Sequence, residues 1–155
     1  MEIRKATARD IPGMIDLLLQ VGEVHHRIRP DLFRSGAQKY DENALEQLLK
    51  DPNRPIFAAV EDGKLLGYCF CILEITRDNP VLMDQKSLYI DDLCVDETAR
   101  GRHVGSALYD YACAYAREIH CDTVTLNVWC GNDRAMRFYE KCGLKPQKIG
   151  MELIL

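Results

Sequence analysis

Apolar residues recur along this chain with two spacings, and each change of spacing marks an element boundary. Glu2 to Ala6 alternates and predicts a short strand beginning at Ile3. Thr7-Ala8-Arg9-Asp10 fits a capping box with Asp in place of Glu, and Ile11, Met14, Ile15, Leu18 and Leu19 follow at helical spacing until Gly22 interrupts. Asp41 to Lys50 predicts a second amphipathic helix, ended by Asp51-Pro52-Asn53. Pro55 to Glu61 and Lys64 to Thr76 read as two strands joined at Asp62-Gly63, a strong hairpin signal, with Gly67 as a bulge or close-approach point. Arg77 to Lys86 is a polar loop.

The next stretch organises the rest. Leu88 to Val95 is rich in β-branched and aromatic residues and predicts a central strand antiparallel to its predecessor. From Val104 onward, Leu108, Tyr111, Ala112, Tyr115 and Ile119 fall at helical spacing. A strand at Thr123 to Trp129 and a helix at Asp133 to Lys141, stopped by Gly143, come after it. Lys148 to Leu155 alternates weakly and is expected to close the sheet. The fold class is therefore α/β, an α+β mixed sheet flanked by helices, in one domain spanning 1–155 without linker or repeat.

Between the central strand and its helix lies Arg100-Gly101-Arg102-His103-Val104-Gly105-Ser106. The first N–H groups of a helix have no intrahelical partner and sit at its positive end. Gly101 and Gly105 let a ligand approach the backbone, and Arg100 and Arg102 add positive charge. This describes an anion site suited to phosphate; it equally describes a tight turn with solvated arginines. It is neither a P-loop nor a Gly-x-Gly-x-x-Gly dinucleotide turn.

Arg100 to Gly105 resembles the Gln/Arg-x-x-Gly-x-Gly/Ala loop of GNAT-superfamily N-acetyltransferases, and Asn132 to Leu144 resembles that family's second signature, Asn-x-x-Ala-x-x-x-Tyr-x-x-x-Gly-Phe/Leu. The resemblance implies the GNAT fold, in which strands 4 and 5 splay apart and the pantetheine arm of acetyl-CoA lies between them. It implies that Arg100, Gly101, Arg102, His103, Val104, Gly105 and Ser106 hold the pyrophosphate. It also implies a bulge in the central strand that leaves backbone at Leu93, Cys94 and Val95 exposed to pair with the arm, with the carbonyl donor near Cys94 or Val95. His103 stands where the family often has a glycine, and either crowds the phosphates or donates to them.

Transfer of an acetyl group to an amine needs a neutral nucleophile, a donor for the carbonyl oxygen and a proton for the leaving thiolate. By resemblance Tyr139 protonates the sulfur and also touches the cofactor; by spacing alone it is an aromatic on a buried helix face. Asn132 either bonds the cofactor's amide arm or caps the last helix. The family often uses an acid on the central strands as base, which makes Asp91, Asp92 and Glu74 the candidates. Adjacent Asp91 and Asp92 are expected on opposite faces, one toward the cleft, or else both merely decorate the strand. Val24 to Phe33, with His25 and His26, either lines the acceptor side or is structural.

Composition narrows this reading. Hydrophobic content of 47% and charged content of 28% suit a soluble globular chain of 155 residues, and a net charge of −4 disfavours nucleic acid as a partner. Neither an apolar run of membrane-spanning length nor an apolar leader is seen, so a cytoplasmic location without a membrane partner is expected. The seven cysteines form no Cys-x-x-Cys pair and read as buried hydrophobes, with no metal site expected. The leading expectation is an acetyl-CoA-dependent N-acetyltransferase with a small-molecule amine acceptor. The alternatives are a non-catalytic CoA-binding module, a protein amine as acceptor, or transfer of a longer acyl group. Homodimerisation, common in the family, is a further expectation of the resemblance.

Overall fold

A five-stranded sheet runs through the protein in the order β1-β2-β3-β4-β5. The computed structural model describes residues 1–155. The strands are β1 (Glu2–Lys5), β2 (Ile56–Glu61), β3 (Lys64–Thr76), β4 (Gln85–Val95) and β5 (Thr123–Leu126). The first four pair antiparallel, and β5 pairs parallel to β4. The helices are α1 (Ile11–Ile28), α2 (Glu42–Leu48), α3 (Val104–Glu118) and α4 (Asp133–Lys141).

Helices cover both faces of the sheet, so β2 and the first half of β3 are apolar on both sides. Against one face α1 and α2 bring Met14, Leu17, Leu18 and Leu45 onto Tyr68 and Phe70. Against the other α3 brings Val104, Leu108 and Ala112 onto Phe57, Leu88 and Ile90. The start of α1 is fixed by Asp10, which is buried and accepts from the Thr7 backbone at 2.7 Å and from Arg4 at 2.8 and 2.9 Å. Burial alone would raise the pKa of that carboxyl, but the Arg4 guanidinium and Thr7 together hold it low. The expected hairpin at Asp62-Gly63 is present, and both residues have positive φ, 50° and 78°, as its tight turn requires.

Three expectations are corrected. Gly22 does not end the first helix, which continues to Ile28; a Cβ there would lie 2.5 Å from the Ala37 carbonyl oxygen. The glycine serves close approach of a loop, not helix termination. The strand expected at 123–129 stops at Leu126. Lys148 to Leu155 forms no strand: it is exposed throughout, with Arg29 and Glu152 paired at 2.6 Å, and the outer edge of β5 stays open. Alternation makes a segment two-faced, but a strand also needs a backbone partner, and this segment has none.

Two bulges shape the middle of the sheet. Between β2 and β3 the register shifts so that Leu66 has no direct partner, and Gly67 then lies under α3. Between β3 and β4, Phe70 opposes Asp92 while Cys71 opposes Ile90, which leaves Asp91 as the extra residue.

Gly67 carries the first prediction. A Cβ at this position would lie 2.8 Å from the Cys94 carbonyl oxygen and 3.0 Å from Leu108 Cδ1. Gly67→Ala is expected to cost about 1–3 kcal/mol by overpacking. Thermal unfolding should show a fall of roughly 2–4 °C per kcal/mol.

Candidate active site

The bulge at Asp91 reverses the alternation of β4. Before it, Leu88 and Ile90 face α3; after it, Cys94 faces α1 while Leu93 and Val95 pack on the α3 side. Both acids consequently reach toward the α1–α2 face, against the expectation that neighbours on a strand diverge. Asp92 accepts a hydrogen bond from Tyr68 Oη at 2.8 Å. Asp91 accepts from Lys39 Nζ at 2.7 Å and from Tyr40 Oη at 3.3 Å, with Arg54 at 3.9 Å. A bulge puts two residues opposite one, and the rule of two faces holds only for an unbroken pleat.

The same distortion opens the sheet. β4 pairs with β5 only from Ser87 to Ile90, although β4 itself runs on to Val95. Along Asp91 to Val95 the β5 side of the strand has no neighbour. Leu93, Cys94 and Val95 lie in this free segment.

Beyond it, the chain makes one turn of 3₁₀ helix at Glu97–Ala99 and enters α3. Gly101 has φ 81° and His103 has φ 61° and ψ 15°. The left-handed conformation at His103 is the physical reason a glycine suits this position, and histidine occupies it at a cost of roughly 1–2 kcal/mol. His103 precedes the first helical residue but makes no capping bond with its side chain. The first backbone bond of α3 runs from Ala107 to the His103 carbonyl at 3.0 Å, so the amides of Val104, Gly105 and Ser106 have no partner within the helix. A Cβ at Gly105 would meet Phe138 and Val95 only at ordinary contact, 3.6 Å, so packing does not demand glycine there. Arg100 lies 3.4 Å from Glu97, and Arg102 reaches back to Glu61 on the hairpin. This turn offers a polyanion unpaired amides at a positive helix end, with two arginines beside it.

Tyr139 is brought in by α4, whose Phe138 packs near Gly105 at the start of α3. It lies on α4 with its ring centroid 5.0 Å from Phe138 and 6.4 Å from Tyr109. Its hydroxyl has no protein partner, and every fully buried side-chain polar atom in the protein has one, so this oxygen is not fully buried. Burial pushes the phenol pKa well up, with the Cys69 thiol and the Asp92 carboxyl adding to the rise. The Asp92 carboxyl is itself pushed up to about 6, chiefly by burial and further by Asp91, against the pull of the Tyr68 hydrogen bond and of Lys39. The charge of Asp92 thus reaches the Tyr139 phenol and helps to keep it protonated.

The remaining sequence candidates sort clearly. Asn132 caps α4, its Oδ1 accepting from the Ala135 amide at 3.2 Å, while its amide nitrogen makes no protein bond. Glu74 is exposed and opposes Ser87, roughly 13 Å along β3 from Phe70, and the structure does not bring it to the other acids. His26 Nδ1 is 2.6 Å from the Phe33 carbonyl oxygen, and His25 packs on the Phe33 ring, which in turn meets Trp129 edge-on at 5.3 Å. These residues join the end of α1 to the chain after β5. No group of three or more His, Cys, Asp or Glu side chains is arranged to hold a metal ion. Sequence reasoning missed Tyr68, Lys39, Tyr40 and Arg54, which surround the two acids; the only local signal was the placing of Tyr68 beside Cys69 in a buried strand.

Comparison with known proteins bears on this geometry. A model of the acetyltransferase (GNAT) family matches residues 22–144. The chain belongs to that family. A mutant of the BH1408 protein from Bacillus halodurans is 33% identical, with a TM-score of 0.95, covering 100% of this chain and 99% of that one. An aminoglycoside N-acetyltransferase crystallised with CoA shares the GNAT fold at a TM-score of 0.73 and 14% identity, covering 99% of this chain and 98% of the other. An aminoglycoside acetyltransferase from an uncultured soil metagenomic sample has a TM-score of 0.75 at 20% identity, covering 99% and 95%. No curated protein matches the chain by sequence. No helix of this GNAT protein is long and apolar enough to cross a membrane.

Asp92 yields a stability prediction. Its folded pKa lies above the unfolded value of about 3.9. The native state therefore holds the proton more tightly, and stability falls as pH rises from about 4 to about 6. Asp92→Asn removes this burden and keeps an acceptor for Tyr68. The variant should be more stable than the parent at pH 8, by up to roughly 3 kcal/mol. Denaturant titrations at several pH values should show that advantage vanish below about pH 4.

Proposed function

We propose that this protein is an N-acetyltransferase that moves the acetyl group of acetyl-CoA directly to a primary amine, with a small molecule as acceptor. The observation that carries the reading is the strand edge left without a β5 partner from Asp91 to Val95, with the sheltered Asp92 carboxyl on that segment and the unpaired amides of the α3 turn beyond it. Residues 1–155 act as one catalytic domain, since the sheet that holds β4 and β5 is continuous from β1 to β5.

The roles follow from the chemistry each atom can perform. The amides of Val104, Gly105 and Ser106, with Gly101, Arg100, Arg102 and His103 around them, hold the cofactor's phosphates. The unpaired edge at Leu93, Cys94 and Val95 and the free amide of Asn132 take the amide-bearing arm. When bound, acetyl-CoA supplies the activated acyl group. Asp92 accepts the proton of the attacking amine, directly or through water, and Tyr68 orients it. Tyr139 donates to the departing sulfur from an otherwise unengaged hydroxyl. Asp91 provides negative charge for the ammonium form of an arriving amine. Two structural relatives are aminoglycoside acetyltransferases by name, which supports a small amine as the acceptor class. A cytoplasmic location is proposed with this reading.

Release of free thiol from acetyl-CoA across a panel of primary amines tests the reading. Tyr139→Phe should lower kcat by at least tenfold, within the range of about 10²–10⁴ for general acid catalysis, with little change in cofactor affinity by calorimetry. An unchanged kcat would remove Tyr139 from the chemistry. The base has its own signature. With Asp92 as base, kcat/KM should rise with pH through about 6, and Asp92→Asn should abolish that limb of the profile. A limb that persists in the variant would assign the proton to another group.

A further inference from the structure

We propose that Lys39 is an internal acceptor of the enzyme: its Nζ, held on the bulge acid Asp91 at 2.7 Å, is acetylated in cis by the same site. The inference rests on the N-acetyltransferase reading above.

Lys39 lies in the connection between α1 and α2, and that connection is fixed on both sides of it. Upstream, Glu23 accepts from Ser35 Oγ at 2.9 Å and from the Gly36 amide at 2.5 Å, while the Ala37 carbonyl rests against Gly22. Downstream, Tyr40 stacks on Phe70 with a centroid separation of 5.8 Å and bonds both Asp91 and Arg54 through its hydroxyl. Lys39 is thus delivered to the bulge by a built loop and not by a freely moving side chain. Its head remains accessible, with 47% of the side chain exposed. Asp92 is the next residue along β4, close enough that its charge and that of Lys39 act on each other.

A primary amine in contact with one carboxylate and beside a second, on the strand segment left open by β5, stands where an acceptor amine is required. Lys39 rests as the ammonium, which Asp91 favours in spite of partial burial; an amine substrate arrives in the same state at neutral pH. The carboxylate that holds it is also in place to receive its proton. The Nζ lone pair then adds to the thioester carbonyl carbon. The C–S bond breaks with its electron pair on sulfur, sulfur takes a proton from Tyr139, and the second proton of the nitrogen passes to the phenolate, restoring Tyr139. The products are Nε-acetyl-Lys39, now uncharged, and free thiol. Lys64 provides an internal comparison: it also pairs with a carboxylate, Asp96 at 3.3 Å, but sits at the hairpin beyond the gap.

The full-length protein is incubated with isotopically labelled acetyl-CoA and no added amine. Incorporation is followed by intact mass and by peptide mapping. The expected result is modification of Lys39 at least roughly tenfold faster than of Lys64. Its first-order rate should be independent of protein concentration, lost in Tyr139→Phe, and lost from the intact mass in Lys39→Arg. Labelling of Lys39 no faster than of Lys64, undiminished total incorporation in Lys39→Arg, or a rate that scales with protein concentration would overturn the proposal. A parallel thiol-release assay with the amine panel separates the two readings. Thiol release without Lys39 labelling removes the internal acceptor alone, and absence of both removes the transferase reading with it.

Discussion

The register shift at Asp91 is the constraint on which the site depends. One extra residue in β4 turns two consecutive carboxylates toward the same side, and from that residue to Val95 the backbone has no β5 partner. An unbroken strand would have split Asp91 from Asp92 and continued its pairing past Ile90. The core on either side accommodates the shift because the inward residues change sides with it: Leu88 and Ile90 belong to the α3 core, Cys94 to the α1 core.

The environment so created is one in which titratable groups are driven apart in function. Asp92 is sheltered, bonded to the hydroxyl of the fully buried Tyr68 and placed beside another acid, and its proton is held into the range where enzymes work. Tyr139 faces the same charge and is driven the other way, toward permanent protonation. Lys39 tempers the negative charge from above. None of these residues would have such properties on an open surface; the packing of Phe70 between Tyr40 and Tyr68 keeps the ring of groups together.

How much of this could be read from the chain varies with the range of the interactions involved. The hairpin at Asp62-Gly63, the glycine turn before α3 and the α4 signature around Tyr139 are encoded by residues close in sequence, and each was found where its neighbours implied. The same holds for Asn132, whose capping bond spans three residues. The family resemblance implied a bulge in the central strand, but its place at Asp91 was not readable, because it is a relation between β3 and β4 and leaves no mark in either strand alone. Tyr68 lies 24 residues from its partner Asp92, and Lys39 lies 52 from Asp91, so no spacing rule could join them. Gly22 shows the opposite failure. A local sign of helix ending was present, but a tertiary approach had claimed it. At Lys148 to Leu155 a pattern was present without the partner that would make it a strand.

That approach at Gly22 has a reach beyond its own contact. The loop carrying Lys39 is seated by the Ala37 carbonyl on the bare Cα of position 22, where no side chain of any kind has room. A residue of helix α1 that touches neither acid, phenol nor anion turn thereby sets how closely the loop can approach β4. Sequence drift at that single position would be silent in the helix, which tolerates alanine better than glycine, and audible at the bulge.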